Sequence, residues 1–346
     1  MESPSRGTVF LTGSTGFIGS RVIQVLCQKG WKVRALVRDT KKAKSLLDTS
    51  PAENARRVQL VEGDLFAGLP LERMKLFRES LKGATIVMHI AEAKSKLRDF
   101  DAKNIKSFGL LLEAAAESQS LQRFVFVSAF MAGGLPQPLP SVLTEEMTGT
   151  QFPDPYYSWK RSAERLLIKA SEDSHISYSI IRPALVYGPN ADWLIPMLTA
   201  IRNFGKYYLP LPDGGKALLG TVHVEDVANT IASAGWSTFA ENQIVHAVDN
   251  GATTYIDWMT TIAAAAGWKV RIGSVPSYVT KWAAKAVDAA ASIFGLHYGA
   301  YLWAQVLSEG CGYSNEKMRQ ITGGLKYPTI RDGIPGMMDW YKKAHP

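Results

Sequence analysis

The residues with the clearest chemical use are a tyrosine and a lysine four positions apart, Tyr156 and Lys160. If this segment is helical, the two side chains lie on one face, one turn apart. Reduction of a carbonyl by hydride needs a proton donor at the nascent alkoxide, and oxidation of an alcohol needs a base. A free tyrosine, with a pKa of about 10, serves poorly in either role, but an adjacent ammonium stabilises its phenolate. The pair therefore predicts acid–base catalysis by Tyr156, with Lys160 lowering the pKa of the phenol and holding a ribose hydroxyl.

A glycine-rich turn, Thr12–Gly19, stands between a predicted strand and a predicted helix. Gly13 suits a tight turn, Gly16 lets the backbone approach a pyrophosphate, and Gly19 lets the helix pack against the strand. Phosphates would lie at the helix N-terminus, where unpaired N–H groups favour anions. In this context the turn predicts a dinucleotide site. Its predicted contact residues are Gly13, Thr15, Gly16, Phe17, Ile18 and Gly19.

The end of the second predicted strand selects the dinucleotide. An NAD enzyme usually carries an acid there, which accepts a hydrogen bond from the ribose 2′-hydroxyl. Apolar Val37 stands at that position, Arg38 follows it, and Lys42 and Lys44 lie nearby. A guanidinium suits a 2′-phosphate dianion. The sequence therefore predicts NADP(H), with Arg38 and Lys44 as cofactor ligands, whereas Asp39 would favour NAD.

Short β-branched stretches alternate with helical patterns through the first half of the chain. This alternation predicts right-handed crossovers and an α/β fold with a Rossmann-type, doubly wound parallel sheet. After Pro183 the pattern changes, and helical segments come to dominate. The expected organisation is a Rossmann domain over residues 1–188, to which 221–250 returns, and a smaller, mostly helical substrate-binding region over 189–346.

Composition excludes several classes of function. The chain of 346 residues has a net charge of +8, but its basic residues are spread out, and no long basic stripe predicts nucleic-acid binding. The two cysteines, Cys27 and Cys311, lie far apart, which favours a reducing intracellular compartment over a disulfide framework. No metal site is predicted. The N-terminal residues lack the apolar core of a signal peptide, so we expect a cytoplasmic protein.

The segment that comes nearest to a membrane span is Ala289–Leu307. It contains His297 and several glycines and tyrosines, and it falls short of the roughly 18 uncharged apolar residues that a span needs. We interpret it as a buried or substrate-facing helical hairpin, with peripheral membrane contact as the alternative.

Further motifs accompany the glycine turn and the Tyr156–Lys160 pair in a set order along nearly the whole chain. They are Gly63-Asp64-Leu65, His89-Ile90-Ala91, Glu164, RPALVYGP at Arg182–Pro189 and VHVEDVA at Val222–Ala228. With these motifs the chain resembles the extended short-chain dehydrogenase/reductases, in the branch of hydroxysteroid dehydrogenases and dihydroflavonol reductases. The resemblance implies an oxidoreductase with a nicotinamide cofactor.

The resemblance also implies roles for single residues in cofactor binding. Asp64 and Leu65 would lie beside the adenine, and Ala91 near the central part of the cofactor. Pro183 and Val186 would lie near the nicotinamide.

A further implied role concerns Asn104. It would begin the family's long fourth helix, where an asparagine can support a proton-relay water. Family members often dimerise through the helices that hold Asn104 and Tyr156, so a homodimer is one expectation for this chain.

The family's third catalytic residue is a serine or threonine just past the fifth strand, which hydrogen-bonds the substrate oxygen. Counting forward from the strand places Ala129 at that position, whereas counting back from Gly133 places Ser128 there. With Ser128 the catalytic set is complete. With Ala129 the substrate oxygen loses one donor, which commonly costs about 10²–10³ in rate.

The substrate cavity is predicted to be lined by large apolar side chains, as suits flat hydrophobic ligands. The candidates are Phe130, Met131, Leu185, Trp193, Tyr207, Tyr208, Leu209, Trp282, Phe294, Tyr298, Tyr301 and Trp303. We therefore expect a ketone or secondary alcohol of a hydrophobic, cyclic metabolite such as a steroid, terpenoid or flavonoid.

Two alternative functions stay open. A nucleotide-sugar epimerase or dehydratase would need arginines for a second diphosphate, and only Arg182 and Arg202 are near. The second alternative is a non-catalytic NADP-binding sensor. Ala129 at the position of the third catalytic residue would favour it, whereas the intact Tyr156–Lys160 pair argues against it.

Overall fold

A computed structural model describes residues 7–48, 52–93, 97–293 and 299–345. Its strands are β1 (Thr8–Thr12), β2 (Lys32–Val37), β3 (Val58–Glu62), β4 (Ile86–His89), β5 (Arg123–Val127), β6 (Val142–Leu143), β7 (Ser177–Pro183), β8 (Leu185–Tyr187), β9 (Leu209–Pro212), β10 (Thr221–His223), β11 (Gln243–Ala247), β12 (Ile272–Val275) and β13 (Gly312–Tyr313). Its helices are α1 (Gly19–Gln28), α2 (Thr40–Asp48), α3 (Ala52–Arg56), α4 (Pro70–Leu81), α5 (Leu97–Ala116), α6 (Pro155–Glu172), α7 (Ile195–Phe204), α8 (Val224–Ala234), α9 (Tyr255–Ala266), α10 (Ser277–Ile293), α11 (Ala300–Ser308), α12 (Glu316–Thr322) and α13 (Ile330–Ala344).

Seven strands form one parallel sheet in the order β11-β7-β5-β4-β1-β2-β3. The chain winds outward from β1 to β3 and then crosses to β4 on the other side of β1. At such a switch point the carboxyl ends of the strands leave a crevice for a ligand. The predicted Rossmann-type, doubly wound sheet is therefore confirmed.

The central strands are apolar because helices cover both faces of the sheet. Successive residues of β5 alternate between the two cores, with Val127 in the core of α1 and α8 and Phe126 in the core of α5 and α6. The Phe126 ring centroid lies 5.0 Å from that of Phe108 on α5 and 5.6 Å from that of Trp159 on α6. This aromatic packing fixes α6 against the sheet and so positions the next residue, Lys160, at the carboxyl end of β5.

The sequence patterns predict no helix between β3 and β4, but α4 lies there. It begins at Pro70, whose fixed φ suits a first helical position. Met74, Phe77 and Leu81 are buried at the spacing of one helical face. The apolar pattern is weak because most of the other positions are polar or charged.

The chain beyond the large sheet forms the smaller, mostly helical region that the sequence predicts. Helices α7, α9 and α13 surround a third apolar core that includes Leu198, Trp258 and Met337. Strand β11 returns to the large sheet, where it pairs with β7. The division into residues 1–188 and 189–346 stays a prediction. None of the helices in the described ranges combines the length and the apolarity that crossing a membrane requires.

Candidate active site

The glycine turn between β1 and α1 lies in the crevice at the switch point. Gly13 has a φ of +76°, and its carbonyl accepts a hydrogen bond from the N–H of Gly16 at 3.0 Å. A Cβ on Gly19 would lie 2.1 Å from the oxygen of Gly13, and a Cβ on Gly13 would lie 2.7 Å from the nitrogen of Ala91. The turn leads directly into α1, and the helix dipole favours an anion at this N-terminal end. The turn therefore fits the pyrophosphate of a dinucleotide.

A buried hydrogen bond joins the end of β1 to the end of β4. Thr12 Oγ1 lies 2.9 Å from Nδ1 of His89, and it also accepts from the N–H groups of Ile90 and Ala91. Burial lowers the pKa of His89 to about 3, and the ammonium of Lys160 adds to the effect. The ring is therefore neutral, and Nδ1 can accept the proton of Thr12. This contact holds Ala91 against the glycine turn.

The basic residues after β2 lie at one end of the cavity. Arg38 and Lys42 are exposed and line it, whereas Lys44 is exposed on α2 and is not among the lining residues. The structure thus brings Arg38 together with Lys42, not with Lys44 as predicted, because Lys44 lies on another side of the helix. The carboxylate of Asp39 accepts a hydrogen bond from the N–H of Lys42 at 3.0 Å and is engaged in capping α2.

All the predicted cofactor contacts except Lys44 line this one cavity. They are Gly13, Thr15, Gly16, Phe17, Ile18, Gly19, Arg38, Asp64, Leu65, Ala91, Tyr156, Lys160, Pro183 and Val186. The carboxylate of Asp64 also accepts a hydrogen bond from the N–H of Phe66 at 2.9 Å, which shapes the turn after β3.

Helix α6 presents the tyrosine and the lysine to the cavity. The carboxylate of Asp154 caps the helix by accepting a hydrogen bond from the N–H of Tyr156 at 2.7 Å. Lys160 is only 3 % exposed, and its Nζ donates to the carbonyl of Val127 at 2.9 Å. The same Nζ lies 3.3 Å from Oε2 of Glu92 and 5.5 Å from the centroid of the Tyr156 ring. The two side chains therefore meet beside the end of β5.

The electrostatics of this pair differ from the sequence-based expectation. Burial raises the pKa of Tyr156 well above its ordinary value, and the Glu92 carboxylate adds to the rise. Burial lowers the pKa of Lys160, which Glu92 in part opposes. The expected lowering of the phenol's pKa by Lys160 is thus not found in the protein alone, because desolvation outweighs one cation that is already paired with Glu92. Tyr156 is held protonated, as a proton donor must be.

Ser128 and Ala129 both line the cavity. Ser128 is 3 % exposed, and its Oγ has no hydrogen-bond partner within the described residues. A buried hydroxyl without a partner is costly, and a ligand oxygen would supply one. Ala129 packs in an apolar cluster against Tyr156 and Tyr157. Both candidate positions therefore lie in the cavity, and Ser128 is the one of the two that offers a hydroxyl.

A buried ion pair connects α6 to β7. Nε and Nη2 of Arg182 donate to the two carboxylate oxygens of Glu164 at 2.9 and 2.6 Å. Glu164 lies one turn beyond Lys160, and Arg182 precedes Pro183. The pair therefore fixes α6 to β7, whose end lines the cavity. It also occupies Arg182, one of the arginines that a second diphosphate would have needed.

The cavity has a volume of about 1010 Å³ and extends from the glycine turn past Tyr156 to an apolar end. Five of the apolar residues predicted to line it do so, namely Phe130, Met131, Leu185, Trp193 and Trp303. The helical hairpin predicted within Ala289–Leu307 corresponds in part to α10 and α11, of which α11 supplies Trp303, Val306 and Leu307 to the wall.

The other predicted lining residues lie elsewhere. Three of them expose more than half of their surface, namely Tyr207, Tyr208 and Trp282. Leu209 packs against the third apolar core, and Tyr301 lines a separate, smaller cavity. Phe294 and Tyr298 lie outside the described residues. The prediction failed for Trp282 because α11 lies against α10 and forms the wall in its place.

Besides Glu92, four polar residues of the cavity have no counterpart in the sequence-based predictions: Tyr157, Tyr255, Cys311 and Tyr313. Burial raises the pKa of Tyr255 to about 12, so its hydroxyl is neutral. These residues come from α6, α9 and the segment around β13, so no local pattern could have grouped them. Glu92 was also not predicted from the sequence, although an acid three residues past the end of an apolar strand is a signal that could have indicated it.

Asn104 lies inside α5, which begins at Leu97 rather than at Asn104 as the resemblance implied. Its Oδ1 accepts a hydrogen bond from the N–H of Ala93, and its Nδ2 donates to the carbonyl of Phe100, both at 2.9 Å. The side chain holds the segment after β4 against α5. A role for Asn104 in a proton relay stays a prediction.

Three relatives of the chain are reductases by name. It is 25% identical over 313 residues to a 4-hydroxy-2-methyl-3-oxo-4-farnesyl-3,4-dihydroquinoline-1-oxide ketoreductase of Stigmatella aurantiaca, across 87% of this chain and 82% of the relative. It is 26% identical over 357 residues to a ceramide reductase of Caulobacter vibrioides, across 99% of this chain and 97% of the relative. It is 27% identical over 248 residues to a dihydroflavonol 4-reductase of Solanum lycopersicum, across 65% of this chain and 60% of the relative.

A solved structure and a family model complete the comparison. The crystal structure of gox2253 shares the fold with a TM-score of 0.77 and 20% identity, across 98% of this chain and 99% of that one. The model of the NAD dependent epimerase/dehydratase family matches residues 9–237, a range that contains the glycine turn, the Tyr156–Lys160 pair and the Arg182–Pro189 motif. As its motifs predicted, the chain belongs to the NAD dependent epimerase/dehydratase family of extended short-chain dehydrogenase/reductases.

Proposed function

We propose that the protein is an NADP(H)-dependent oxidoreductase that reduces a ketone, or oxidises a secondary alcohol, on a hydrophobic cyclic molecule. The observation that carries the proposal is one continuous cavity, which joins the glycine turn to the Tyr156–Lys160 pair and to apolar walls. A site with mostly apolar walls and a few convergent polar groups suits a flat hydrophobic ligand. The relatives named for a farnesyl dihydroquinoline, a ceramide and a dihydroflavonol also support a hydrophobic substrate.

The chain's own residues supply the proton chemistry in this proposal. A bound nicotinamide would supply or take up the hydride. Tyr156, which burial keeps protonated, donates its proton to the substrate oxygen during reduction. The ammonium of Lys160, oriented by the carbonyl of Val127, holds a ribose hydroxyl beside the phenol. Ser128 donates a hydrogen bond to the same substrate oxygen, which stabilises the charge that develops there.

The 2′-phosphate contact can be tested at Arg38. For Arg38→Ala we expect kcat/KM for NADPH to fall about 10–100-fold, because a hydrogen bond to a charged group contributes about 1.5–3 kcal/mol. The value for NADH should change little, since NADH lacks the phosphate. Lys42→Ala should likewise lower kcat/KM for NADPH relative to that for NADH. Lys44→Ala removes the same charge outside the cavity and is the matched control. An equal loss with both cofactors in Arg38→Ala would contradict the assignment.

The identity of the substrate-oxygen donor can be tested by a pair of substitutions. We expect Ser128→Ala to lower kcat at saturating NADPH by about 10²–10³-fold, which is the usual cost of removing one such donor. Ala129→Ser adds a hydroxyl at the adjacent position and should not raise the rate. If Ser128→Ala retains full turnover and Ala129→Ser is faster than the wild type, position 129 is the catalytic one and Ser128 is not.

The reaction class can be tested with a panel of steroid, terpenoid and flavonoid ketones, followed by NADPH oxidation. Net oxidation that depends on the ketone supports the proposal. A nucleotide-sugar epimerase or dehydratase would recycle its cofactor and form product from a UDP-sugar without net loss of NADPH. The ion pair of Arg182 with Glu164 leaves that arginine engaged and so favours the reductase.

A further inference from the structure

The surface of the C-terminal region carries a compact group of basic and aromatic side chains outside the cavity. We call these seven residues the basic aromatic patch: Arg202, Phe204, Lys206, Tyr207, Tyr208, Lys269 and Arg271. All seven are exposed, and the three aromatic residues, Phe204, Tyr207 and Tyr208, expose 60%, 67% and 55% of their surface. Such large exposed rings in one place commonly mark an interaction surface.

Backbone contacts join the two segments that form the patch. The N–H of Arg271 donates to the carbonyl of Gly205 at 2.7 Å, and the N–H of Leu209 donates to the carbonyl of Arg271 at 2.9 Å. A Cβ on Gly273 would lie 1.8 Å from the ring of Tyr208, so that ring rests on the backbone of β12. The patch is therefore one ordered piece of structure, formed by the end of α7 and by the residues that lead into β9 and β12.

The charge of the patch is entirely positive. The sequence has no Asp or Glu over residues 202–212 or 267–277. Across the part of the chain that the structure describes, none of the four cations of the patch forms an ion pair. Nζ of Lys206 lies 4.8 Å from the centroid of the Tyr207 ring. Uncompensated Lys and Arg beside exposed aromatic rings are suited to the headgroup level of an anionic bilayer.

We propose that the basic aromatic patch docks the protein on membranes that contain anionic phospholipids. The four cations contact the headgroups, and the three rings enter the interfacial layer. Helix α7, ten residues and about 15 Å long, leads from the patch back to Trp193, which lines the cavity and is 52% exposed. Docking therefore places an exposed edge of the cavity one short helix from the lipid, where hydrophobic ligands accumulate.

A second exposed apolar surface is the outer face of α10. Tyr278 and Trp282 are each 74% exposed there. Nothing on that face specifies what covers it, whereas the charge of the patch specifies an anionic partner.

The test is co-sedimentation of the full chain, without cofactor or substrate, with phospholipid vesicles. We expect binding to phosphatidylcholine vesicles that contain about one third phosphatidylglycerol and little binding to pure phosphatidylcholine. Each basic residue near an anionic surface contributes about fivefold to the affinity. The double variant Lys206→Glu/Lys269→Glu should therefore bind at least about tenfold more weakly, and Tyr207→Ser should also weaken binding.

Matched controls separate the patch from the overall positive charge. Lys32→Glu/Lys103→Glu makes the same charge change at exposed sites elsewhere, and Phe239→Ser removes another exposed ring, 62% exposed. Both should bind like the wild type, and circular dichroism should confirm that every variant is folded. The proposal would be overturned if the control variants lost as much vesicle binding as the patch variants. It would also be overturned if the wild type bound equally to both kinds of vesicle. Tighter patch-dependent binding to a DNA duplex would overturn it as well, as would a dimer that the patch variants dissociate in sedimentation velocity.

Discussion

Replacement of Tyr156 by phenylalanine is expected to lower kcat for ketone reduction about 10²–10⁴-fold, the usual contribution of a positioned general acid. The phenol lies beside the buried ammonium of Lys160, at the point where the cavity passes from the glycine turn to its apolar walls. Phenylalanine keeps the ring and its packing and removes the proton. Steady-state rates at saturating NADPH measure the loss, and fluorescence titration with NADPH should show cofactor binding unchanged.

The neighbouring tyrosine provides the matched control. Tyr157 is buried and lines the same cavity as Tyr156, but it lies one position further along α6, off the turn that pairs Tyr156 with Lys160. Tyr157→Phe should therefore affect KM for the substrate more than kcat. Wild-type turnover in Tyr156→Phe, or an equal loss of kcat in the two variants, would refute the proposed role of Tyr156.

Removal of the Glu164 carboxylate is expected to destabilise the protein by about 3–5 kcal/mol, the usual cost of leaving one member of a buried ion pair unpaired. Arg182 makes both of its carboxylate hydrogen bonds to Glu164, and both side chains are buried. In Glu164→Ala the guanidinium would stay buried without its partner. Urea denaturation followed by circular dichroism measures the change in the free energy of unfolding.

Two further variants show whether the loss of stability in Glu164→Ala comes from the burial of the unpaired charge. Glu79→Ala breaks an exposed ion pair with Lys82 and should leave the urea midpoint unchanged. The double variant Glu164→Leu/Arg182→Met removes both charges and should recover most of the lost stability, because an apolar pair of similar size needs no desolvation of ions. A Glu164→Ala variant as stable as the wild type would show that the pair contributes nothing.

The sequence by itself determined the features that consecutive residues encode. Alternating strand and helix patterns predicted the doubly wound sheet, because backbone periodicity is a local property. The glycine turn was recognised because each glycine answers a local steric need, as the close approach of Gly19 to the oxygen of Gly13 shows. The spacing of Tyr156 and Lys160 placed both on one face of α6, since a helical turn is fixed geometry. Helix α4 was not predicted from the sequence because its apolar face is narrow and is surrounded by charged residues.

Only the tertiary structure decided which side chains meet and what charge they carry. It brought Glu92 to Lys160 and packed Tyr156 among other side chains, so that desolvation raises the pKa of the phenol where the sequence suggested the opposite. It collected Tyr255 and Tyr313 from separate segments into one cavity and put Tyr207 on the outer surface. Desolvation and Coulomb energies depend on distances through space, and residues far apart in the chain set those distances. For that reason the sequence predicted that Tyr156 and Lys160 share a helix face, whereas it did not predict the electrostatics around them.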